Sequence, residues 1–390
     1  MNYRSTVLAT LVSIIATFIV FAWYRELIIV SIPSWSRLQS TTIDQTSYKK
    51  NITLFYISKN QPHQEHKEIL WTESLDGNIL TCLHAWAELF NEEKREHKVT
   101  IQNACVSFTQ DELMVSLSRL PFYKNDTALQ KLGLIETLFK TVRTVFPTLK
   151  KIRLLVNHEP MVDDLLDFSQ PWPIGGFIED QPELSALTPP GSLHKQPCTI
   201  MINPAGDAVH PGRIVDSLFE RTITAQCAQT LKKELEDKNP NLRIILTRFP
   251  GETVEPLQNA TFANRLQVDC YISIHCYQST TQNPTCCLYQ YTYDSLADQW
   301  YKKSNRLTVT PLHLAHQQFI EESNCIIKRI YTTLQQRENQ SRLTTMAPRA
   351  FPFKPLMGIH APTLGIEIGL TKKEDLHFVI DILLRALENL

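Results

Sequence analysis

Hydrophobic positions along this chain follow two periods, and an uncharged block stands ahead of both. From Ser5 to Tyr24 the run S-T-V-L-A-T-L-V-S-I-I-A-T-F-I-V-F-A-W-Y carries no charge and lies between Arg4 and Arg25. A helix crosses a bilayer with roughly 20 such residues, and Trp23-Tyr24 suits the membrane interface, so residues 1–30 are expected to form an uncleaved anchor. The polar stretch 31–51 follows as a spacer. From Ile52 onward N-I-T-L-F-Y-I reads as a strand, L-T-C-L-H-A-W-A-E-L-F as a helix by its three- and four-residue spacing, and E-L-M-V-S-L-S as an alternating strand. A longer helix and the strand K-I-R-L-L-V come next. Pro171 and Pro173 oppose further regular structure and close a first unit at residues 52–173.

Residues 174–197 mix proline, glycine and polar residues, as a linker does. The pattern then becomes the strand C-T-I-M-I-N, a long helix, the strand R-I-I-L-T-R and a short helix around N-A-T-F-A-N-R-L. The strands C-Y-I-S-I-H and T-C-C-L-Y-Q-Y, a long helix, the strand L-G-I-E-I-G and a terminal helix complete residues 198–390. Strands alternating with helices predict an α/β fold, with a mainly parallel sheet and helices on both faces. The first unit is a smaller α/β domain.

Composition removes several functions. With 39 basic and 40 acidic residues the net charge is -1, which gives no electrostatic footprint for nucleic acid. Eleven glycines, none in a G-x-G-x-x-G or P-loop arrangement, leave no phosphate cradle. The nine cysteines include no C-x-x-C pair, and several lie in apolar runs, so they read as small core residues rather than as metal ligands or nucleophiles.

In open α/β sheets ligands bind beyond the carboxyl ends of the strands. Asn203 and His275 end strands there, Glu367 lies within L-G-I-E-I-G, and Glu220 begins the long helix after the turn N-P-A-G-D-A-V-H-P-G. Glutamate and histidine can hold zinc, and a further carboxylate can take a proton from metal-bound water. Each residue also has a structural alternative. Ser217 to Glu220 fits a capping box, and His275 fits a satisfied core histidine. Glu220 shares a stripe with Ile223, Cys227, Leu231 and Leu235, which would aim it at the sheet. A carboxylate within an apolar strand, as at Glu367, calls for a buried partner.

Two resemblances follow from these blocks. D-E-L-M-V-S-L-S, then L-I-E-T-L-F-K-T-V-R-T-V-F-P-T-L-K-K-I-R-L-L-V-N, then D-F-S-Q-P resemble a GerMN domain over residues 52–173. That family implies a recognition or assembly module with an envelope protein partner. Residues 198–390 resemble the zinc-dependent N-acetylmuramoyl-L-alanine amidases. The resemblance rests on T-I-M-I-N-P-A-G-D-A-V-H-P-G, L-F-E-R-T-I-T-A-Q-C-A, I-I-L-T-R, L-Q-N-A-T-F-A-N-R-L-Q-V-D-C-Y-I-S-I-H and P-T-L-G-I-E-I-G-L. It implies Glu220 and His275 as zinc ligands, Glu367 as general base, and cleavage of the amide between N-acetylmuramic acid and L-alanine in peptidoglycan. The family's first ligand, the histidine of its turn, is replaced here by Gly206. Asp207 or His210 then stands as the replacement donor, or the site has lost its metal. The chain is accordingly expected to be a peptidoglycan amidase or, alternatively, a catalytically degenerate relative that binds peptidoglycan or regulates or assembles envelope machinery. The anchor implies a single-pass envelope protein with its C-terminal domains extracytoplasmic, in the periplasm.

Overall fold

Apolar Ile52 and Leu54 turn one face of strand β1 (Tyr48–Ser58) into a core, while its partner β2 (Gln61–Trp71) buries little more than Ile69. The two form an antiparallel hairpin in continuous register from Tyr48↔Trp71 to Ser58↔Gln61. No apolar alternation announces β2, because Q-P-H-Q-E-H-K-E faces solvent, and pairing with β1, with side-chain contacts such as Lys49–Glu68 and Thr53–His66, holds it extended. The computed structural model describes residues 47–58, 61–93, 97–178, 198–254, 257–293 and 311–388, together with Ser13 and Thr17. The expected anchor and spacer, and most of the expected linker, lie outside the described residues. No helix among the described residues is long and apolar enough to cross a membrane.

Helix α1 (Leu75–Glu93), strands β3 (Ile101–Val106) and β4 (Glu112–Leu117), helix α2 (Ala128–Val145) and strand β5 (Lys151–Val156) complete the first unit. β4 pairs antiparallel with β3 and parallel with β5. Helix α2 starts with a capping box in which Thr127 accepts from the Gln130 amide and the Gln130 side chain accepts from the Thr127 amide. The segment after Pro173 stays with this unit as far as Ile178: Arg143 Nη1 donates to the Gly175 carbonyl at 2.6 Å, and the Phe177 amide donates to the Glu136 carboxylate. Trp172 anchors it, stacked on Phe168 and edge-on to Phe139 and Phe177.

The second unit is built on strands β6 (Cys198–Pro204), β7 (Leu242–Leu246), β8 (Cys270–Gln278), β9 (Thr285–Tyr291) and β10 (Thr363–Leu370). Their order is β7-β6-β8-β10-β9, parallel except for β9, with short strands at 344–345 and 349–351 beyond it. Strand alternation sorts the side chains. Ile272, Ile274, Ile366 and Ile368 face a core shared with helices α3 (Glu220–Lys238), α5 (Ile320–Leu334) and α6 (Asp375–Leu387). Met201, Tyr271 and Tyr289 face the other way.

On that second face the flanking helices among the described residues of this unit are short, namely α4 (Gln258–Leu266) and a 3-10 helix at Leu312–Phe319 against Tyr291 and Tyr293. The remaining cover is Phe351, Phe353 and the first unit itself, which share one continuous apolar core with the sheet. The described residues from Ser47 onward accordingly pack as one compact unit. The in-between residues of β6, β8 and β10, namely Asn203, Ser273, His275 and Glu367, point into this shared space.

Candidate functional site

Parallel register sets the site. Asn203 lies beside Ser273, and His275 lies beside Glu367, at the carboxyl ends of β6, β8 and β10. Glu220 enters from the first turn of α3. The residue before it, Phe219, makes no side-chain cap, so the capping-box alternative for Ser217 and Glu220 does not form. The helical stripe turns the Glu220 carboxylate inward, with Ile223, Cys227, Leu231 and Leu235 buried below it. Glu220, His275 and Glu367 are 4%, 6% and 0% exposed, so their polar atoms need internal partners.

The main partner is Arg213, which leaves the turn just before α3. Its Nη2 donates to Glu220 Oε1 at 2.9 Å, its Nε to Glu220 Oε2 at 3.2 Å, and its Nη1 to Glu367 Oε1 at 2.6 Å. The Arg213 backbone amide adds a bond to Glu220 Oε2 at 3.0 Å, and the Cys276 amide reaches Glu220 Oε1 at 2.9 Å. Glu367 Oε2 accepts the Tyr289 hydroxyl at 2.6 Å. Guanidinium nitrogens in a rigid fork match carboxylates in this way, and such charge-assisted bonds are the strong ones. Burial alone would raise the Glu220 carboxyl, but Arg213 and then His275 hold it well below the ordinary carboxylate range. Burial would likewise lower Arg213, yet Glu220 and Glu367 lift it above its ordinary value.

His275 stands at the edge of this cluster. Its Nδ1 lies 3.6 Å from Glu220 Oε1, its Nε2 is 3.0 Å from Ser273 Oγ, and its ring meets Phe353 edge-on. Ser273, His275 and Glu220 thus follow the order of a nucleophile, base and acid. Access rules the nucleophile out: Ser273 is fully buried, borders no cleft described below, and receives the Asn203 amide at 3.0 Å. Asn203 Oδ1 in turn accepts from Thr247 and Asn259 at 2.9 and 3.0 Å, so the amide has partners for both its ends. Thiol chemistry fares no better. All nine cysteines are free, burial raises Cys276 well above its ordinary value, and Cys287 is pushed up to about 12.

The turn residues serve the backbone. Asp207 Oδ1 accepts from the Val209 and His210 amides at 2.8 and 2.5 Å, and Oδ2 accepts from Val254 at 3.2 Å. The His210 ring is 66% exposed, 3.6 Å from Asp207. Arg248 clasps the same turn through the carbonyls of Pro204, Ala205 and Arg221.

Residues 200–380 match the family described as N-acetylmuramoyl-L-alanine amidase. Solved structures similar to this chain include the catalytic domain of the amidase CwlV from Bacillus (Paenibacillus) polymyxa var. colistinus. It is 17% identical over 49% of this chain and 94% of that one, with a TM-score of 0.34. The amidase AmiC2 of Nostoc punctiforme is 16% identical, covering 49% and 93%, with a TM-score of 0.36. The CwlD amidase from Clostridioides difficile, solved in complex with the GerS lipoprotein, is 14% identical, covering 49% and 92%, with a TM-score of 0.29. No curated protein matches the chain.

The donor set of this site does not fit zinc. A catalytic zinc takes three protein donors and keeps an open position. Among the described residues no group of three or more His, Cys, Asp or Glu side chains is arranged to hold a metal ion. Gly206 offers no donor, Asp207 is spent on backbone amides, and the exposed His210 ring is turned to Asp207. Where Glu220 and Glu367 converge, a permanent cation is already built in. Gly206 is embedded in the turn: its φ is +75°, and an added Cβ would lie 2.9 Å from Arg221 Cβ and 3.0 Å from the Pro211 carbonyl. Gly206→His is therefore expected to destabilise the protein by about 1–3 kcal/mol and to gain no zinc, checked by thermal melting and metal titration.

Arg213 and Tyr289 are the site residues that sequence reasoning missed. Tyr289 was accessible to it: alternation along T-C-C-L-Y-Q-Y puts Cys287, Tyr289 and Tyr291 on one face. For Arg213 the signal was a cation one residue past the turn 203–212, in a chain with two glutamates, Glu220 and Glu367, in need of a counter-charge.

Proposed function

We propose that the amidase-type domain binds peptidoglycan, or a fragment of it, without cutting it, within a membrane-anchored envelope protein. The observation that carries this is the Arg213 guanidinium joined to both Glu220 and Glu367. In the hydrolase reading Glu220 holds the metal and Glu367 takes the proton from water. Here both carboxylates share the charge of the same side chain, and Glu367, fully buried and held by a guanidinium, a tyrosine hydroxyl and a backbone amide, is engaged by protein donors where a general base must be open to a substrate water. The ligand class is supported by the family match over 200–380. The envelope setting is supported by the uncharged run at 5–24, and a recognition role for the first unit by its GerMN-like blocks.

The test is a paired measurement on the full chain. Purified in zinc-containing buffer and washed, it is expected to hold far less than one equivalent of zinc, to release no stem peptide from peptidoglycan sacculi, and yet to sediment with them. One bound zinc per chain together with peptide release that Glu367→Gln abolishes would make it an amidase instead. Failure to sediment with sacculi would remove the ligand.

A further inference from the structure

Helix α2 of the first unit begins against Glu367. The Ala128 amide points at both carboxylate oxygens, 3.4 and 3.3 Å away, and Ala128 is fully buried there. A helix start carries unpaired amides and a positive potential, so a carboxylate satisfies it. Around this contact the face of the amidase-type domain is divided. One cleft, of about 420 Å³, is bordered by Asn203, Arg213, Glu220 and His275, with Lys124 and Lys131 of the first unit opposite. A second, of about 630 Å³, is bordered by Glu367, Tyr277 and Cys287, with Thr127, Gln130 and Leu134 opposite. The first turns of α2 contribute to both. The residues that sequence resemblance groups into one site therefore open into two separate spaces.

Further ties hold the first unit in place. The Asp167 amide donates to the Pro352 carbonyl at 2.9 Å, Tyr291 Oη donates to Asp167 Oδ2 at 2.8 Å, and Lys354 Nζ reaches the Asp163 carbonyl at 2.6 Å. An isolated antiparallel bridge joins Leu166 to Phe353. Asp163 also receives the buried Lys131 ammonium at 2.6 Å, which ties the same segment to α2.

We propose that the first unit is a built-in cover for the amidase-type face, latched by Glu367 on the start of α2. Glu367 acts here as a positioning residue between the two units. The cover divides the face whether or not Arg213 can be displaced, so it stands apart from the non-hydrolytic reading.

Ala128→Pro tests the latch in the full chain. Proline is well accepted at the first helical position, and Thr127 before it is already extended, at φ -66° and ψ 160°. The change removes the one N–H and places a ring carbon where it pointed. Amide exchange across 363–370 and 129–134 is expected to quicken by roughly tenfold to a hundredfold, the range for losing a hydrogen bond to a charged group. Ala128→Gly keeps the N–H and is expected to move exchange less. Glu367→Gln, which removes the charge from the other side but also loosens Arg213, is read at 129–134, where exchange is expected to quicken, and decides the matter if the proline variant fails to fold. Unchanged exchange in folded Ala128→Pro and Glu367→Gln would overturn the latch. Zinc content and peptide release are read separately, so the two proposals fail independently.

Discussion

Arg213→Ala is expected to cost about 3–5 kcal/mol of folding stability, the usual penalty for stripping one partner from a buried ion cluster. The side chain is 5% exposed and joins Glu220, at 5%, to Glu367, at 0%. Without it both carboxylates remain out of water with backbone amides, the Tyr289 hydroxyl and the His275 ring as their remaining partners, and they must either stay charged or take up protons. Urea unfolding of wild type and variant measures the loss as a shift in midpoint at constant slope. The triple change Arg213→Met, Glu220→Gln, Glu367→Gln is expected to recover most of it, because no buried charge is then left unpaired. A shift within about 0.5 kcal/mol, as for an ordinary surface substitution, would show that the cluster does not hold the fold together.

Acid is expected to act on the same cluster from the other side. The Glu220 carboxyl is held below its ordinary value of 4.5 in the folded chain, because Arg213 and His275 outweigh the cost of burial. A depressed carboxylate contributes stability that is present above the unfolded value and is lost as pH falls towards the folded one. Stability should thus be flat from neutral pH down to about pH 5.5 as far as this group is concerned and decline progressively below it. The full loss, of the same order as that for Arg213→Ala, is approached only at strongly acid pH. Glu220→Gln removes this decline while lowering stability at neutral pH. Urea midpoints of the two proteins between pH 3 and 7 check it: parallel curves would mean that Glu220 is not the titrating group.

Much of the second unit was legible because its strands are buried on both faces and its helices are long and amphipathic. Alternation in C-Y-I-S-I-H and L-G-I-E-I-G places His275 and Glu367 on one face of the sheet, and the stripe through Ile223 and Leu235 turns Glu220 towards it. The polar strand β2 was not legible, since its conformation comes from its partner β1. Nor was the cover on the second face. Residues that pack there, such as Phe351, Phe353 and Ala128, look like ordinary core residues within their own segments.

By itself the sequence determined most of the elements, the mainly parallel sheet, and the clustering of Asn203, His275, Glu220 and Glu367 at its carboxyl edge. Only the tertiary structure decided which partners those carboxylates meet. A cation from a neighbouring turn and an amide from a helix 239 residues away in the chain both reach the Glu367 carboxylate. Periodicity reports which face a side chain takes, because that depends on its own backbone. It says nothing of which distant charge meets it there, because that depends on how the units close on one another.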